Sequence, residues 1–227
     1  MLPRLQTQHL TAKQVLGMPD EPIQRVYFPR GAVISLLVPM ESGASVEAAT
    51  VGWEGMFGLP VYLGDGLAQD ETVCQISGEA ASMSVTAFRQ AVADCPELQT
   101  LLQRYALALM GQMARTAGCN RAHPVEERCA RWLLMTHDRV GQDEFFLTHE
   151  FLAAMLGVRR ASVTLVAGQF QQAGLIRYRR GNLTIVDREG LEEASCEDYR
   201  LTHHIYERLY RTATPPPQLA RAWTGRG

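Results

Sequence analysis

The sequence predicts an α+β fold in which a β-rich N-terminal half precedes a mainly helical C-terminal half. Short apolar or alternating runs separated by turn residues fill residues 23–84, a pattern typical of a β-sandwich or barrel. A long helical pattern follows, because apolar residues recur at steps of three and four after Asp94. From Thr148 onwards the spacing is that of two short helices joined by a tight turn, with a hairpin pattern directly after them.

The composition is that of a globular chain. Of the 227 residues, 46% are apolar and 20% are charged, which excludes a disordered chain and leaves room for two domains. No apolar run approaches the roughly 18 residues of a membrane span, and the N-terminus lacks the pattern of a signal peptide. The five cysteines are scattered without a C-x-x-C pair, so the sequence offers no ready zinc or iron–sulfur site. We expect a cytoplasmic protein that does not associate with a membrane.

The predicted strands of the N-terminal half are separated by turn residues such as Pro29-Arg30-Gly31 and Ser77-Gly78. The strands are short, as expected for a sandwich or barrel. Five of them are predicted, at residues 23–28, 32–38, 45–51, 72–76 and 80–83. The first 22 residues have mixed helical and turn character, and no element is predicted there.

One long helix is predicted after the strands. Asp94 is a suitable N-cap with Pro96 in the first turn, and the helix should end before Pro124, because His123 precedes a proline. About 25 residues would extend roughly 37 Å, which favours a partner along the helix. The spacing is typical of a coiled coil and predicts a dimerisation seam at Leu98, Leu102, Tyr105, Leu109 and Met113. The alternative is that the helix packs only on its own β-rich half.

A second helical unit is predicted from Pro124, and a helix-turn-helix motif follows it. Thr148 is a suitable N-cap for the first helix of the motif, and Gly157 supplies the tight turn. The second helix is predicted over residues 160–173. A small residue, a glycine four positions later and a valine six positions after that give the spacing of a DNA-binding helix-turn-helix.

A basic hairpin is predicted directly after the motif. Two β runs at residues 175–178 and 183–186 are joined by Arg179-Arg180-Gly181-Asn182, which suits a tight turn. A helix-turn-helix followed by such a hairpin is a winged helix. Residues 151–186 contain five arginines and no acidic residue, which suits binding to phosphate, and a plain solvated face is the alternative.

The chain resembles the cyclic-AMP receptor protein and fumarate–nitrate regulator (Crp/Fnr) family of bacterial transcription factors over nearly its whole length. One motif, E-x-R-x-A-x-x-L, lies at Glu126, Arg128, Ala130 and Leu133, and a second, L-x-x-x-L-G-V-x-R-x-S-V, lies at Leu152, Leu156, Gly157, Val158, Arg160, Ser162 and Val163. The resemblance implies a cyclic-nucleotide-binding-like β-roll (jelly roll) at residues 1–93, a dimerisation helix at 94–122 and a winged helix-turn-helix DNA-binding domain at 123–190. Residues 191–227 are expected to form a further helix, over 191–210, and a mobile tail from 214.

The same resemblance implies which residues contact DNA. Arg160 falls where family members carry an arginine that binds guanine, and Arg159 beside it is expected to reach a phosphate. The other expected contacts, on the same helix and on the wing, are Ser162, Thr164, Arg177, Arg179 and Arg180. Plain helix-surface filling is the alternative for the serine and the threonine. Ala161 and Leu165 depart from the cyclic-AMP receptor pattern, so a different DNA half-site is expected.

The segment that holds the nucleotide in the cyclic-AMP-binding members is altered here. The resemblance implies a glutamate for the ribose and an Arg-Ser pair for the phosphate, where this sequence has Met56 or Gly58-Leu59 and Asp70-Glu71. Two carboxylates repel a phosphate, so we expect no binding of cyclic AMP. No other cofactor is predicted. An apolar pocket for another effector, with core filling as the alternative, is suggested by Trp53, Phe57, Tyr62 and Leu63.

These features predict a homodimeric, sequence-specific DNA-binding transcription regulator that acts on a near-palindromic operator. A sensor or interaction module whose winged helix binds a protein partner is the alternative. RNA polymerase and an unidentified small-molecule effector stay open as further partners. An enzyme is not expected and no metal site is predicted, because no histidine lies between Leu10 and Ala122 and no cysteine occurs in the first 73 residues.

Overall fold

The computed structural model describes residues 5–41 and 43–210, and its N-terminal half contains two antiparallel β-sheets. Side chains from both sheets meet in one core, where Leu10, Val26, Ile34 and Cys74 are fully buried. The strands are β1 (Gln6–Leu10), β2 (Val15–Gly17), β3 (Arg25–Pro29), β4 (Val33–Pro39), β5 (Ser45–Val51), β6 (Glu71–Ile76) and β7 (Gly78–Ser84), with a short helix α1 (Leu59–Leu63) between β5 and β6. The sheet orders are β1-β7-β3 and β2-β6-β4-β5.

The strand pattern was predicted well where side chains alternate between core and solvent. The prediction for residues 45–51 matches β5, and the other four predicted strands match β3, β4, β6 and β7 to within two residues at either end. The two strands in the first 22 residues were missed. Most side chains of β1 are polar and largely exposed, and β2 has only three residues and an irregular register.

Two consecutive helices follow the sheets, α2 (Val85–Asp94) and α3 (Pro96–Ala122). The prediction that Asp94 caps the long helix is wrong, because Asp94 is the last residue of α2. Ser84 caps that unpredicted helix by accepting a hydrogen bond from the backbone N–H of Ala87 at 3.3 Å. Cys95 then adopts an extended conformation, with φ −136° and ψ 94°, and separates the two helices.

The predicted dimerisation seam of α3 faces the β-rich half of the same chain. Leu102, Tyr105 and Leu109 are buried in its core, and Leu98 and Met113 pack against that core at its edge. The hydroxyl of Tyr105 donates a hydrogen bond to the backbone carbonyl of Met56 at 3.0 Å. Packing on the chain's own half, the alternative considered from sequence, therefore describes this face of the helix, and these five residues are not an exposed surface.

The C-terminal half is a winged helix. Its elements are α4 (Val125–Val140), β8 (Glu144–Phe146), α5 (His149–Leu156), α6 (Arg160–Gln172), β9 (Ile176–Arg179) and β10 (Asn182–Ile185), and the strands form one sheet in the order β8-β10-β9. The predicted N-cap is confirmed, since Thr148 Oγ1 accepts a hydrogen bond from the N–H of Phe151 at 3.1 Å. No single helix in the described ranges is long and apolar enough to cross a membrane, although α5 and α6 together meet the length and composition and are bent by 111°.

The last described residues form two helices instead of the single one predicted over 191–210. These are α7 (Arg188–Glu193) and α8 (Asp198–Tyr210). The helical conformation stops between them and the chain reverses direction, so that α8 packs along α3. The two helices are close at Gly111, where an added Cβ would lie 3.0 Å from Ile205. Tyr206 and Leu209 of α8 are buried in the N-terminal core. The predicted mobile tail from residue 214 lies outside the described residues.

The two halves are joined by a buried polar cluster, the interdomain junction, which consists of Glu47, Glu54, Gln112, Trp132 and Arg139. The guanidinium of Arg139 forms an ion pair with Glu54 at 2.8 Å and donates to Gln112 Oε1 at 3.1 Å. The indole N–H of Trp132 donates to Glu47 Oε1 at 2.8 Å. Helix α4 is therefore held against the β-rich half by charges and hydrogen bonds that solvent does not reach.

Candidate nucleic-acid interface

The angle between α5 and α6 is set by a glycine in the left-handed backbone conformation. Gly157 ends α5 with φ 62°, a conformation that glycine adopts without strain, and the chain turns by 111° into α6. On the inner face of α6, Val163, Val166 and Phe170 are buried, as the sequence pattern predicted for the two valines. The packing fixes α6 on one side and leaves the outer side of its first turns exposed.

Arg159 and Arg160 lie at the exposed start of α6. Both side chains are exposed, and neither forms a hydrogen bond or an ion pair with any residue that the structure describes. Ser162 is half-buried on the same turn. The start of a helix offers unsatisfied backbone N–H groups as well as these two guanidinium groups, which favours contact with anions.

Thr164 is exposed but already has hydrogen-bond partners. Its hydroxyl donates to the backbone carbonyl of Arg160 at 3.1 Å and lies 3.1 Å from Nδ1 of His149. The ring of His149 also lies 4.5 Å from the ring of Tyr178 in the wing, so this histidine links α5, α6 and β9. Burial and the charge of Arg160 lower the pKa of His149. Sequence reasoning missed His149, because nothing in its spacing distinguishes it from an ordinary residue in a first helical turn.

The wing is a two-residue hairpin. Arg180 and Gly181 both have positive φ, 51° and 88°, and Asn182 pairs with Arg179, which is the geometry of a type I′ turn. A Cβ at Gly181 would lie 2.6 Å from the ring of Phe146, so only glycine fits there. The hydroxyl of Tyr178 donates to the backbone carbonyl of Leu147, and this contact holds the hairpin against the rest of the domain.

The exposed arginines of this region form an uncompensated positive surface, which we call the arginine face. Its members are Arg159, Arg160, Arg177, Arg179 and Arg180, and all five are exposed. Within the described residues, none of them forms an ion pair with a carboxylate. Charges that are left without partners in the protein are available to phosphate groups outside it.

The β-rich half contains an apolar cavity of about 300 Å³ between the α1 region and α3. Of the four residues suggested for an effector pocket, Phe57 and Leu63 line this cavity. Trp53 instead donates to the backbone carbonyl of Asp138 at 3.2 Å, and Tyr62 donates to that of Gln99 at 3.2 Å.

The charge of this cavity is opposite to that of the arginine face. Asp70 is at its edge, and burial raises the pKa of this carboxyl group. None of the described residues that line it is basic. The remaining walls are mostly apolar and include Met110 and Met113 of α3. The cavity therefore suits an uncharged apolar molecule better than an anion.

Comparisons with known proteins agree with this geometry. Residues 127–194 match a family model described as a Crp-like helix-turn-helix domain. FixK2 from Bradyrhizobium japonicum has a similar fold at 14% identity, with a TM-score of 0.71 over 85% of this chain and 98% of that one. TTHA1359, a Crp/Fnr-family transcriptional regulator from Thermus thermophilus, is 21% identical, with a TM-score of 0.64 over 84% of this chain and 98% of that one.

A third similar structure is that of CLP from Xanthomonas campestris, described as a c-di-GMP responsive global regulator. It is 14% identical and has a TM-score of 0.61 over 81% of this chain and 95% of that one. No curated protein matches the sequence significantly. At these identities the similarity to solved structures is one of fold, and the fold matches the α+β arrangement expected from the sequence.

Proposed function

We propose that this Crp/Fnr-type regulator, so classed by its helix-turn-helix domain and its fold, binds a near-palindromic DNA site as a homodimer and does so without cyclic AMP. The observation that carries the proposal is the arginine face, on which exposed guanidinium groups at the start of α6 and on the wing have no partner among the described residues. A DNA duplex offers guanine edges to the helix and phosphates to the wing.

The two parts of the arginine face are assigned different tasks. Arg160 at the start of α6 is placed to bind guanine O6 and N7 through two hydrogen bonds, which discriminates against a wrong base by about 1–3 kcal/mol. Arg177 and Arg179 alternate with core residues along β9 and therefore point away from the domain, towards a bound backbone. Contacts with phosphate strengthen binding to any sequence and weaken as salt is added.

A second copy of this chain is the proposed partner of α3. Leu107 and Met110 are 72% and 66% exposed, and with Ala114 and Ala117 they form an exposed stripe at steps of three, four and three. The small side chains let two helices approach closely, and the large exposed ones beside them supply apolar surface to bury. A symmetric helix pair would present two winged helices to the two halves of a near-palindrome.

The cavity supports the exclusion of cyclic AMP. A cyclic nucleotide carries a phosphate charge, and a pocket with one carboxyl group and no basic side chain does not offset the loss of its hydration. An unidentified apolar effector fits the lining better. Binding to RNA polymerase and a cytoplasmic location stay predictions from the sequence.

A selection from randomised DNA duplexes with the purified full chain tests the proposal. We expect enrichment of one inverted repeat, without added nucleotide. Arg160→Ala should weaken binding by about 5- to 150-fold for each half-site, equivalent to about 1–3 kcal/mol per lost contact, and relax one position of each half-site. Arg89→Ala, an exposed arginine of α2, is the matched control and should leave the enrichment unchanged. No enrichment, or equal enrichment with Arg160→Ala, would contradict DNA reading by α6 and favour a protein partner for the winged helix.

Sedimentation of the full chain tests the homodimer separately. Leu107→Glu places a charge in the exposed stripe without entering the core, and we expect it to convert a dimer into a monomer. Val15→Glu, at an exposed apolar residue of β2, is the control and should remain dimeric. A monomeric wild-type chain, or a dimer unaffected by Leu107→Glu, would overturn the proposed interface.

A further inference from the structure

Four side chains with metal-binding chemistry meet where the end of α3 faces the segment between α7 and α8. Cys119 lies in the last turn of α3, and His123, four positions later, is the residue that follows this helix. Cys196 and Asp198 come from the turn that leads into α8. One potential ligand atom from each lies within 4.8 Å of all the others. The two cysteines and the aspartate are buried, and the histidine side chain is 16% exposed.

The donor set and its spacing fit a four-coordinate ion. Two thiols, an imidazole and a carboxylate are the ligands that zinc takes in tetrahedral sites. Two sulfurs bound to one zinc ion at about 2.3 Å lie roughly 3.8 Å apart in that geometry. The Sγ atoms of Cys119 and Cys196 are 3.4 Å apart, close to that separation and far from the roughly 2.05 Å of a disulfide.

The neighbours of the four residues orient two of the ligands. Nε2 of His123 is 3.2 Å from the carboxylate of Glu197, so a proton on that nitrogen leaves Nδ1 as the metal-binding atom. Nδ1 is buried, has no hydrogen-bond partner among the described residues and lies 3.6 Å from Asp198 Oδ2. Arg115 holds the other oxygen of Asp198 at 3.4 Å. A carboxylate that orients a metal-binding histidine, as Glu197 orients His123, is a common feature of zinc sites.

The charges around the cluster also balance. Two thiolates and a carboxylate carry three negative charges against the two positive charges of the ion, and Arg115 and Arg131 lie close enough to offset the remainder.

We propose that Cys119, His123, Cys196 and Asp198 bind one divalent ion of the zinc type, which fastens the start of α8 to the end of α3. A cleft of about 820 Å³, lined in part by Cys196 and Glu197, gives the ion a path from solvent. His123 is the last residue before Pro124 and the winged helix, so the ion fixes the point at which α3 passes into α4. The site does not depend on the proposed DNA binding.

Cobalt titration of the reduced, chelator-treated full chain tests the site. We expect one equivalent of Co²⁺ to bind, with the visible bands of a tetrahedral complex and a thiolate-to-metal charge-transfer band, and Zn²⁺ to displace it. Cys119→Ser and Cys196→Ser should weaken binding by more than about 100-fold, because losing even a residue that only orients a ligand costs about 10- to 100-fold. Cys95→Ser, a cysteine outside the cluster, is the matched control and should bind as the wild type does.

Two results would overturn the proposal. The first is a wild-type chain that gives no tetrahedral cobalt spectrum, including one whose two cysteines are found as a disulfide and still bind no cobalt after reduction. The second is an unchanged spectrum in Cys119→Ser and Cys196→Ser. A measurement on the wild type alone guards against variants that fail to fold: Zn²⁺ should raise the thermal unfolding midpoint and Mg²⁺ should not, and equal midpoints in both would also contradict the site.

Discussion

The arginines of the arginine face and those of the interdomain junction have opposite surroundings. Arg160 and Arg179 are exposed and without ion pairs in the described part of the chain, whereas the side chain of Arg139 is 6% exposed and paired with Glu54 at 2.8 Å. A solvated arginine keeps its hydration and is free to bind an external phosphate. A buried arginine needs an internal partner, and it then joins two parts of the molecule. These side chains are chemically identical, so burial decides which task each arginine performs.

Each guanidinium nitrogen of the junction arginine has a hydrogen-bond partner. Arg139 donates to Glu54 Oε1 at 2.8 Å, to the carbonyl of Met135 at 2.8 Å and to Gln112 at 3.1 Å. Burial lowers the pKa of its guanidinium group, but the carboxylates of Glu54 and Asp138 outweigh burial, so the net direction is upward and the charge is kept. A charge held in this way is costly to leave buried without its partner.

Removing the carboxylate from the junction should have the largest effect. Glu54→Ala leaves the charge of Arg139 buried without its partner, and we expect the free energy of unfolding to fall by about 3–5 kcal/mol. Urea unfolding followed by circular dichroism measures the loss. Glu79→Ala, at an exposed position of β7, is the control and should change stability by less than about 0.5 kcal/mol. A loss below about 1 kcal/mol for Glu54→Ala would mean that the pair does not hold the halves together.

The second junction carboxyl group should make stability depend on pH. Burial raises the pKa of Glu47 to about 7, against smaller lowering effects of hydrogen bonds with Ser35 and Trp132 and of the charges of Arg139 and Arg131. A raised pKa contributes stability that is complete below the unfolded value of 4.5 and is lost as pH rises through about 7. We expect the free energy of unfolding of the wild type to fall by about 3 kcal/mol over this range from this group.

Glu47→Gln isolates that contribution. Glutamine can still accept the indole hydrogen bond of Trp132 but does not titrate, so the variant should lose this part of the pH dependence. It should also be more stable than the wild type at pH values above about 8. Urea unfolding at several pH values compares the two chains. Parallel pH profiles would show that the carboxyl group of Glu47 has the same pKa in the folded and the unfolded chain and would refute its raised pKa.

Changing the wing should affect DNA binding modestly and stability least of all. Arg179→Ala removes one expected phosphate contact from each half of the proposed dimer, so affinity should fall evenly for all sequences and the slope of log affinity against log salt should decrease by about 2. Unfolding should change by less than about 0.5 kcal/mol, because the side chain is exposed. Arg179→Lys keeps the charge and should retain the salt slope. A changed sequence preference with an unchanged slope would show that Arg179 reads bases instead.

The winged helix could be predicted from the sequence because its signals are local. The cap at Thr148, the glycine turn at 157 and the arginine-glycine hairpin each depend on a few neighbouring residues, and the structure has all three. The match of residues 127–194 to a Crp-like helix-turn-helix domain confirms the resemblance for that part of the chain. The strands β3 to β7 were predictable for the same local reason.

Features that depend on which surfaces meet could not be predicted. Helix α3 has one apolar row at Leu102 and Leu109 and another at Leu107 and Met110, and spacing alone does not tell which row the chain's own sheets cover. The two cysteines of the proposed ion site are 77 positions apart. The scattered cysteines suggested no metal site because the turn between α7 and α8 brings Cys196 to Cys119. The number of residues between the two cysteines does not reveal that turn.

The return of α8 to the N-terminal core has a consequence for how this protein is made. Tyr206 and Leu209 are buried in that core, and the hydroxyl of Tyr210 donates to the backbone carbonyl of Glu54. The sheets leave the ribosome well before this helix, so the β-rich half emerges with part of its interior uncovered. The β-rich half cannot complete its fold until the chain has been synthesised through residue 210. A stop codon between α7 and α8 would thus damage the N-terminal domain, although every residue of that domain would be present.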